Sequence, residues 1–384
     1  MTQSTDVGQH SNVVAAVAIS VIAMSAFLIL PLLVGAAAES LAMTEVQLGY
    51  MAAACMSGSA LSSIAAIFWI RRVHWRWAAG AALSVMLIGN AACLWLTNIP
   101  LFIVALWFVG LGGGAAYSIA LTVLSDQPQA DRCFGLSVAA QVTFQIVGLL
   151  FLPDVIQRYG LEGILLTLMI CLILGMILLP WLPAAGRSVT QRQKFAVTLS
   201  PPVLLALLGC FMFFFNVGVV WTYIERMAVN SGMPMEIIGQ SLAIGVAFGV
   251  PGALLASLCG ERFGRLGPLT VAASISVLSL LLLSGSFSRT EYVLGLALYN
   301  FSWNYSLSYQ YAVVNNADNS GRSVAVAPAF HGMGSALGPG VAVLFISAES
   351  YLAVNVLACI GVLASLLLFG LATTRRCQQD SVPI

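Results

Sequence analysis

Twelve apolar stretches, each long enough to cross a bilayer, divide this chain, and only short polar or turn-forming clusters stand between them. A hydrocarbon layer about 30 Å thick is crossed by a helix of about 20 apolar residues. No water is present there to pair with backbone N–H and C=O groups, so a helix, which satisfies its own, is the natural solution. The runs read as spans at 13–38, 47–70, 78–97, 101–125, 132–153 and 163–183, then at 202–226, 237–259, 267–286, 291–314, 322–346 and 350–373. The longest polar stretch, 184–200, ends on Pro201 and Pro202, a break of the kind that joins two halves. The domain reading is therefore a six-helix bundle over 1–183, a cytoplasmic linker over 184–200 and a second six-helix bundle over 201–384.

Composition removes most alternatives. Hydrophobic residues make up 60% of the 384 and charged residues 8%, against about 25% charged in a soluble domain. Mean hydropathy is +0.97, so lipid is the main solvent. A net charge of +1 offers no basic field to hold nucleic acid. The eight cysteines lie in or beside apolar runs without CxxC spacing, which indicates neither a disulfide framework nor a zinc site. No P-loop, paired catalytic carboxylates or Ser/His/Asp set can be assembled, so the chain reads as a protein that is not an enzyme and takes no cofactor or metal. The first run ends in Gly35-Ala36-Ala37-Ala38, which imitates a signal-peptidase site. No Lys or Arg precedes it and eleven further runs follow, so it reads as a retained span.

The basic residues orient the spans. With the N-terminus in the cytoplasm, the inner loops hold twelve of the 15 Lys and Arg residues, and only Arg158, Arg226 and Arg289 fall outside. Loops on the cytoplasmic side collect such residues, which places both termini in the cytoplasm and the protein in a plasma or inner membrane. Trp69, Trp75, Trp77 and Trp181 gather at the inner edge, where an amphipathic indole suits the headgroup region.

Sliding the chain on itself by about 190 residues aligns its punctuation. Met43-Thr44-Glu45-Val46-Gln47-Leu48 falls on Met233-Pro234-Met235-Glu236-Ile237-Ile238, each followed by a glycine, Gly49 or Gly239. At the same offset Arg132 falls on Arg322, Gln141 on His331, Gln145 on Ser335 and Gly148 on Gly338. Two parallel six-helix repeats are an arrangement that supports alternating access.

With these residues in place the chain resembles the major facilitator superfamily along essentially its whole length. That family's loop after the second span of a half reads roughly G-x-x-x-D-R-x-G-R, and Gly260-Glu261-Arg262-Phe263-Gly264-Arg265 stands in that place. The first half reads Ile70-Arg71-Arg72-Val73-His74-Trp75-Arg76, keeping the basic residues and losing the acid and the glycine. The resemblance implies an all-α membrane protein of twelve transmembrane helices in two pseudo-symmetric bundles. It also implies a charge cluster at the inner mouth that latches the halves, for which Arg72, Asp126, Arg132, Glu261, Arg262 and Arg265 are the candidates. A carboxylate there could pair with Arg132 or face the positive end of the fifth helix. Short loops also carry solvated charges merely to set topology.

Charge inside the membrane is scarce. Glu39 and Glu225, near the outer ends of the first and seventh spans, could exchange a proton if desolvated, although carboxylates at helix ends are commonly hydrated. His331 is the only histidine within a span and titrates near neutral pH, so proton coupling, substrate binding and helix packing are all open to it. In the tenth span Asn300, Trp303, Asn304, Ser308 and Tyr311 recur at spacings of three and four and make one polar, aromatic face. Tyr117, Gln141, Gln145 and Asn216 add polar groups in other spans. The resemblance implies that the first, fourth, seventh and tenth spans line a central cavity, whereas polar packing between helices is the competing role. Gly334-Ser335-Ala336-Leu337-Gly338-Pro339 resembles an antiporter motif that the family places in the fifth span; close packing explains it equally well.

The expected function is secondary active transport of a small organic solute, uncharged or weakly charged, by alternating access and with proton coupling. Import and export are equally compatible with the residues. A facilitator independent of any gradient and a non-transporting membrane sensor on the same fold are the alternatives. The expected partners are the solute, protons and the lipid bilayer, with the chain acting as a monomer.

Overall fold

Helix breaks, more than helix starts, give this chain its shape, because apolar sequence in lipid forms helix wherever proline or glycine does not interrupt it. The computed structural model describes residues 2–127, 130–185, 200–260, 262–317, 323, 327–346 and 351–380. They form two units, Met1–Gln193 and Lys194–Ile384. Most of the polar stretch 184–200 lies outside the described residues.

The first unit contains α1 (Thr2–Leu28), α2 (Leu30–Leu41), α3 (Glu45–Trp69), α4 (Trp75–Trp95), α5 (Ile99–Ser125) and α6 (Ala130–Ile177), closed by a 3₁₀ turn at Leu179–Trp181. The second contains α7 (Pro201–Asn230), α8 (Met235–Ala247), α9 (Gly249–Cys259), α10 (Leu266–Leu282), α11 (Arg289–Ala317), α12 (Ala327–Ala342) and α13 (Leu352–Asp380). Two spans are each split in two and one long helix holds two spans, so the elements make twelve transmembrane helices, six in each of two pseudo-symmetric bundles.

Each interruption has a local cause. Pro31 has no N–H to donate to Phe27, and the first span breaks at Ile29 into α1 and α2. Pro251 likewise cannot donate to Ala247, and the eighth span divides at Phe248 into α8 and α9. Gly160, at φ 57° and ψ −146°, turns the chain inside α6 and separates the fifth span from the sixth; that conformation suits glycine alone. The freed Leu161 N–H donates to Ser40 Oγ on α2 at 3.1 Å. Thr44 and Gln47 start α3 with reciprocal side-chain bonds to each other's backbone N–H.

Eight helices among the described residues are both long and apolar enough to cross a membrane. The tenth span, α11, is not among them because Asn, Ser and Tyr dilute its apolar surface. Its neighbours hide that polarity. Tyr299, Asn300, Ser302, Ser306 and Gln310 are all buried.

Close backbone approach through glycine joins the helices. On α5, Gly110 lies against the Cys55 carbonyl and Gly114 against the Ser59 carbonyl, so any Cβ would collide with α3. The equivalent pair in the second unit uses glycines on the other partner, Gly245 against Leu296 and Gly252 against the Phe301 carbonyl. Between α7 and α12, Gly334 packs on Phe211 and Gly338 on Phe215. Pro339 denies the Ser335 carbonyl its helical donor, and that carbonyl rests against Gly218. The glycine-proline stretch of the eleventh span thus forms a packing seam.

Candidate functional site

Each unit holds its own polar centre, built from the first, fourth and fifth helices of its repeat. In the first unit, Ser20 on α1 and Ser137 on α6 share a hydrogen bond of 2.6 Å between their hydroxyls. Ser20 Oγ also lies 2.7 Å from the Val17 carbonyl. Gln141 Nε2 donates to Ser137 Oγ at 3.0 Å, and the Gln141 side chain also lies close enough to Tyr117 on α5 to interact with it. Four side chains therefore cross from α1 through α6 to α5, with Tyr117 and Gln141 half-buried. Gln145, one turn along, is buried and donates to the Leu28 carbonyl at 2.9 Å, at the break between α1 and α2. That bond gives Gln145 a structural task, holding the broken end of α1.

In the second unit His331 on α12 is the hub. Its ring stacks on Phe214 of α7 with centroids 3.9 Å apart and planes 16° from parallel. Nδ1 lies 3.4 Å from the hydroxyl of Tyr311 on α11, whose ring is 5.4 Å away. Trp303, two turns before Tyr311, meets Phe214 edge-on at 5.9 Å. The imidazole is buried, and Nε2 has no hydrogen-bond partner among the described residues. Whichever tautomer the Tyr311 contact selects, Nε2 carries the complementary function: a donor if Nδ1 accepts, an acceptor if Nδ1 donates. The hub thus offers one uncommitted nitrogen beside three half-buried rings, Phe214, Trp303 and Tyr311.

The two centres correspond. His331 occupies in α12 the repeat position of Gln141 in α6, and each interacts with a tyrosine of the fourth helix, Tyr311 or Tyr117. The exchange of amide for imidazole gives only the second centre a side chain that can take up a proton.

The other polar residues are distributed more widely than their spacing implied. Asn300 donates to the Leu296 carbonyl at 3.0 Å and Asn304 to the Asn300 carbonyl at 2.9 Å, so both amides bond to their own helix. The Asn304 amide fills the space that a side chain at Gly249 would take, which seats it on the break between α8 and α9. Asn216 is fully buried and accepts from the Tyr299 hydroxyl at 3.3 Å. Ser308 is exposed. Of the tenth-span face, Trp303 and Tyr311 reach the hub.

The two acids differ. Glu39 is exposed at the end of α2. Glu225 is fully buried in α7, close enough to Tyr292 for the two to interact electrostatically, while the Tyr292 hydroxyl donates to the Ile224 carbonyl at 3.1 Å.

Among the candidate gating charges, Asp126, the C-cap of α5, takes a bidentate pair from Arg71 at 2.6 and 2.9 Å. Arg72 is exposed. The turn after α3 therefore grips α5 through the arginine that sequence reasoning passed over, because adjacent arginines in a turn are indistinguishable without geometry. In the second unit Arg265 Nη1 donates to the Ala312 carbonyl at 2.7 Å, tying the equivalent loop to the equivalent helix, α11. Arg262 is exposed. Glu261 and the side chain of Arg132 lie outside the described residues. Phe214 was also missed, since one ring in a Phe-rich run carries no mark of its role.

Twelve membrane helices in two repeated bundles, each with a buried polar centre, define a helical membrane transporter of the secondary type. The chain matches the sequence model of the Major Facilitator Superfamily over residues 15–339. It belongs to that superfamily. Among solved structures, a D-xylose-proton symporter superposes with a TM-score of 0.75 at 16% identity, covering 94% of this chain and 97% of its own. A mutant form of the nucleoside transporter NupG gives 0.73 at 12% identity, with 94% and 99% covered. A bacterial homologue of the human lysosomal transporter Spinster, inward-facing and unoccupied, gives 0.65 at 14% identity, with 96% of each chain covered. No curated protein matches the chain in sequence.

Proposed function

We propose that this chain is a proton-coupled carrier of a small organic solute that is uncharged or weakly charged. The observation that carries the reading is His331: a buried imidazole held by Tyr311 and Phe214, with Nε2 uncommitted. An imidazole in that setting can take a proton and return it, while the surrounding rings accept an apolar or planar face of a solute. In the first unit Tyr117 and Gln141 supply hydroxyl and amide groups to the same task. No Lys or Arg stands near the centre of a span, which disfavours a polyanionic cargo. Glu225, buried in α7, is the second group proposed to exchange protons. Glu39, being exposed, takes a lesser part.

The charge-rich loops at one end of each bundle are proposed to gate access there, with the Arg71–Asp126 pair and the Arg265–Ala312 bond holding each loop to its own bundle. The distribution of Arg and Lys supports a plasma-membrane protein with both termini cytoplasmic, and a monomer is proposed as the working unit.

Uptake into proteoliposomes under an imposed pH gradient tests the reading. The solutes named for two structural neighbours, a nucleoside and D-xylose, begin the panel, followed by other neutral solutes. Wild type should concentrate one of them only while the gradient lasts, and His331→Ala and Glu225→Gln should abolish the concentration. Equal uptake with and without the gradient, in wild type and both variants, would make the chain a gradient-independent facilitator. Binding of a solute without flux would make it a sensor.

A further inference from the structure

Three arginines and four aromatic rings crowd one end of the first unit, and the charge-pair geometry accounts for only part of them. Arg71 is committed to Asp126, and its guanidinium also lies 5.7 Å from the centre of the Trp75 ring. Arg72, beside it in the turn between α3 and α4, is exposed and makes no ion pair among the described residues. Arg76 in the first turn of α4 donates through Nε to the Leu182 carbonyl at 2.5 Å and is otherwise exposed. That bond brings the start of α4 to the end of the sixth span, next to Trp181. Around these guanidiniums the rings are open to the surroundings: Phe68 is 72% exposed, Trp77 79% and Trp181 51%.

From this surface we infer a binding site on the first unit for the headgroup of an anionic phospholipid, with Arg72 and Arg76 on the phosphate and Trp77 and Trp181 at the glycerol and upper acyl chain. Guanidinium groups give phosphate charge-assisted hydrogen bonds. Exposed indoles at the ends of membrane spans settle at the headgroup level. A free anion would satisfy the arginines and leave the rings in water, whereas a lipid satisfies both. Asp126, the acid facing this turn, is already engaged by Arg71 and does not cancel the charge of Arg72. The equivalent end of the second unit lacks the combination. There Arg265 is engaged with Ala312, Glu261 stands next to Arg262 in the sequence, and Phe263 is exposed without a neighbouring tryptophan.

Fluorescence quenching of the full-length protein in phosphatidylcholine vesicles tests the site, with brominated phosphatidylglycerol compared against brominated phosphatidylcholine. Subtracting the emission of Trp77→Phe isolates Trp77. The expected result is preferential quenching of Trp77 by the anionic lipid, weakened roughly fivefold by Arg72→Gln, as follows from the worth of one surface arginine near an anionic headgroup. Arg72→Gln/Arg76→Gln should remove the preference. Among the described residues Arg72 makes no side-chain hydrogen bond or ion pair, so the single variant reads the site even if the double variant is unstable. Equal quenching of Trp77 by the two lipids overturns the inference, and so does a preference that survives Arg72→Gln unchanged.

Discussion

At His331 the two ring nitrogens have different fates, and the difference is where function enters. Nδ1 faces the Tyr311 hydroxyl, and Nε2, without a hydrogen-bond partner among the described residues, is the atom proposed to take a proton or a solute. Removing the partner tests the arrangement with little disturbance of packing. Tyr311→Phe keeps the ring and loses the hydroxyl, at a cost of about 0.6 kcal/mol, the typical worth of a polar bond inside a membrane protein. Gradient-driven uptake should fall about tenfold, as a loss of ~1.4 kcal/mol at the transition state would give, while the melting temperature in detergent barely moves. A large drop in melting temperature with normal transport would mark Tyr311 as a packing residue. The charge pair makes a second prediction at this scale. A double-mutant cycle of Arg71→Gln with Asp126→Asn should show coupling of up to about 1 kcal/mol, the range of exposed pairs, and the cycle with Arg72→Gln should show none. Coupling to Arg72 alone would contradict the geometry.

Helix-level order rests on backbone contact, and here the glycines divide into two kinds. Gly110 and Gly114 have carbonyls of α3 where a Cβ would go, so Gly114→Val should prevent the first unit from assembling and leave little monodisperse protein after size exclusion. Gly135 lies on an exposed face of α6 with nothing within 4 Å. Gly135→Ala should stabilise by about 0.5–1 kcal/mol, the helix propensity difference, read as a rise in melting temperature. The spans themselves were legible because twenty apolar residues in lipid have one backbone solution, and the breaks at Ile29, Gly160 and Phe248 follow from Pro31, Gly160 and Pro251. The site was legible in part. The lone histidine in a span stood out by itself, its Gln141 counterpart through the repeat, and Trp303 and Tyr311 through their helical spacing. Phe214 and Arg71 did not, because their roles depend on which neighbour a fold sets beside them. Asn300 and Asn304 looked available on helical spacing, yet an amide can reach the carbonyl four residues back, and spacing cannot show that choice.

For the whole molecule, the repeat explains how one plan serves two purposes. Both units set a tyrosine of the fourth helix beside a polar side chain of the fifth, and both tie the loop after the second span to the fourth by an arginine. One unit carries an amide at its centre and the other an imidazole, and the proposed proton coupling rests on the second. The proposed orientation rests on the twelve-to-three split of basic residues. A fluorescent protein fused to the C-terminus should light up in the cytoplasm, and a dark fusion with an externally accessible C-terminus would reverse the topology. The central claim is that His331 couples solute movement to protons. The most direct measurement loads proteoliposomes with a pH-sensitive dye and imposes a gradient of the solute that the uptake panel identifies. Wild type should move protons with the solute, while His331→Ala should still exchange labelled for unlabelled solute and move no protons. Solute flux in wild type without any pH change, or proton movement that persists in His331→Ala, would contradict the account.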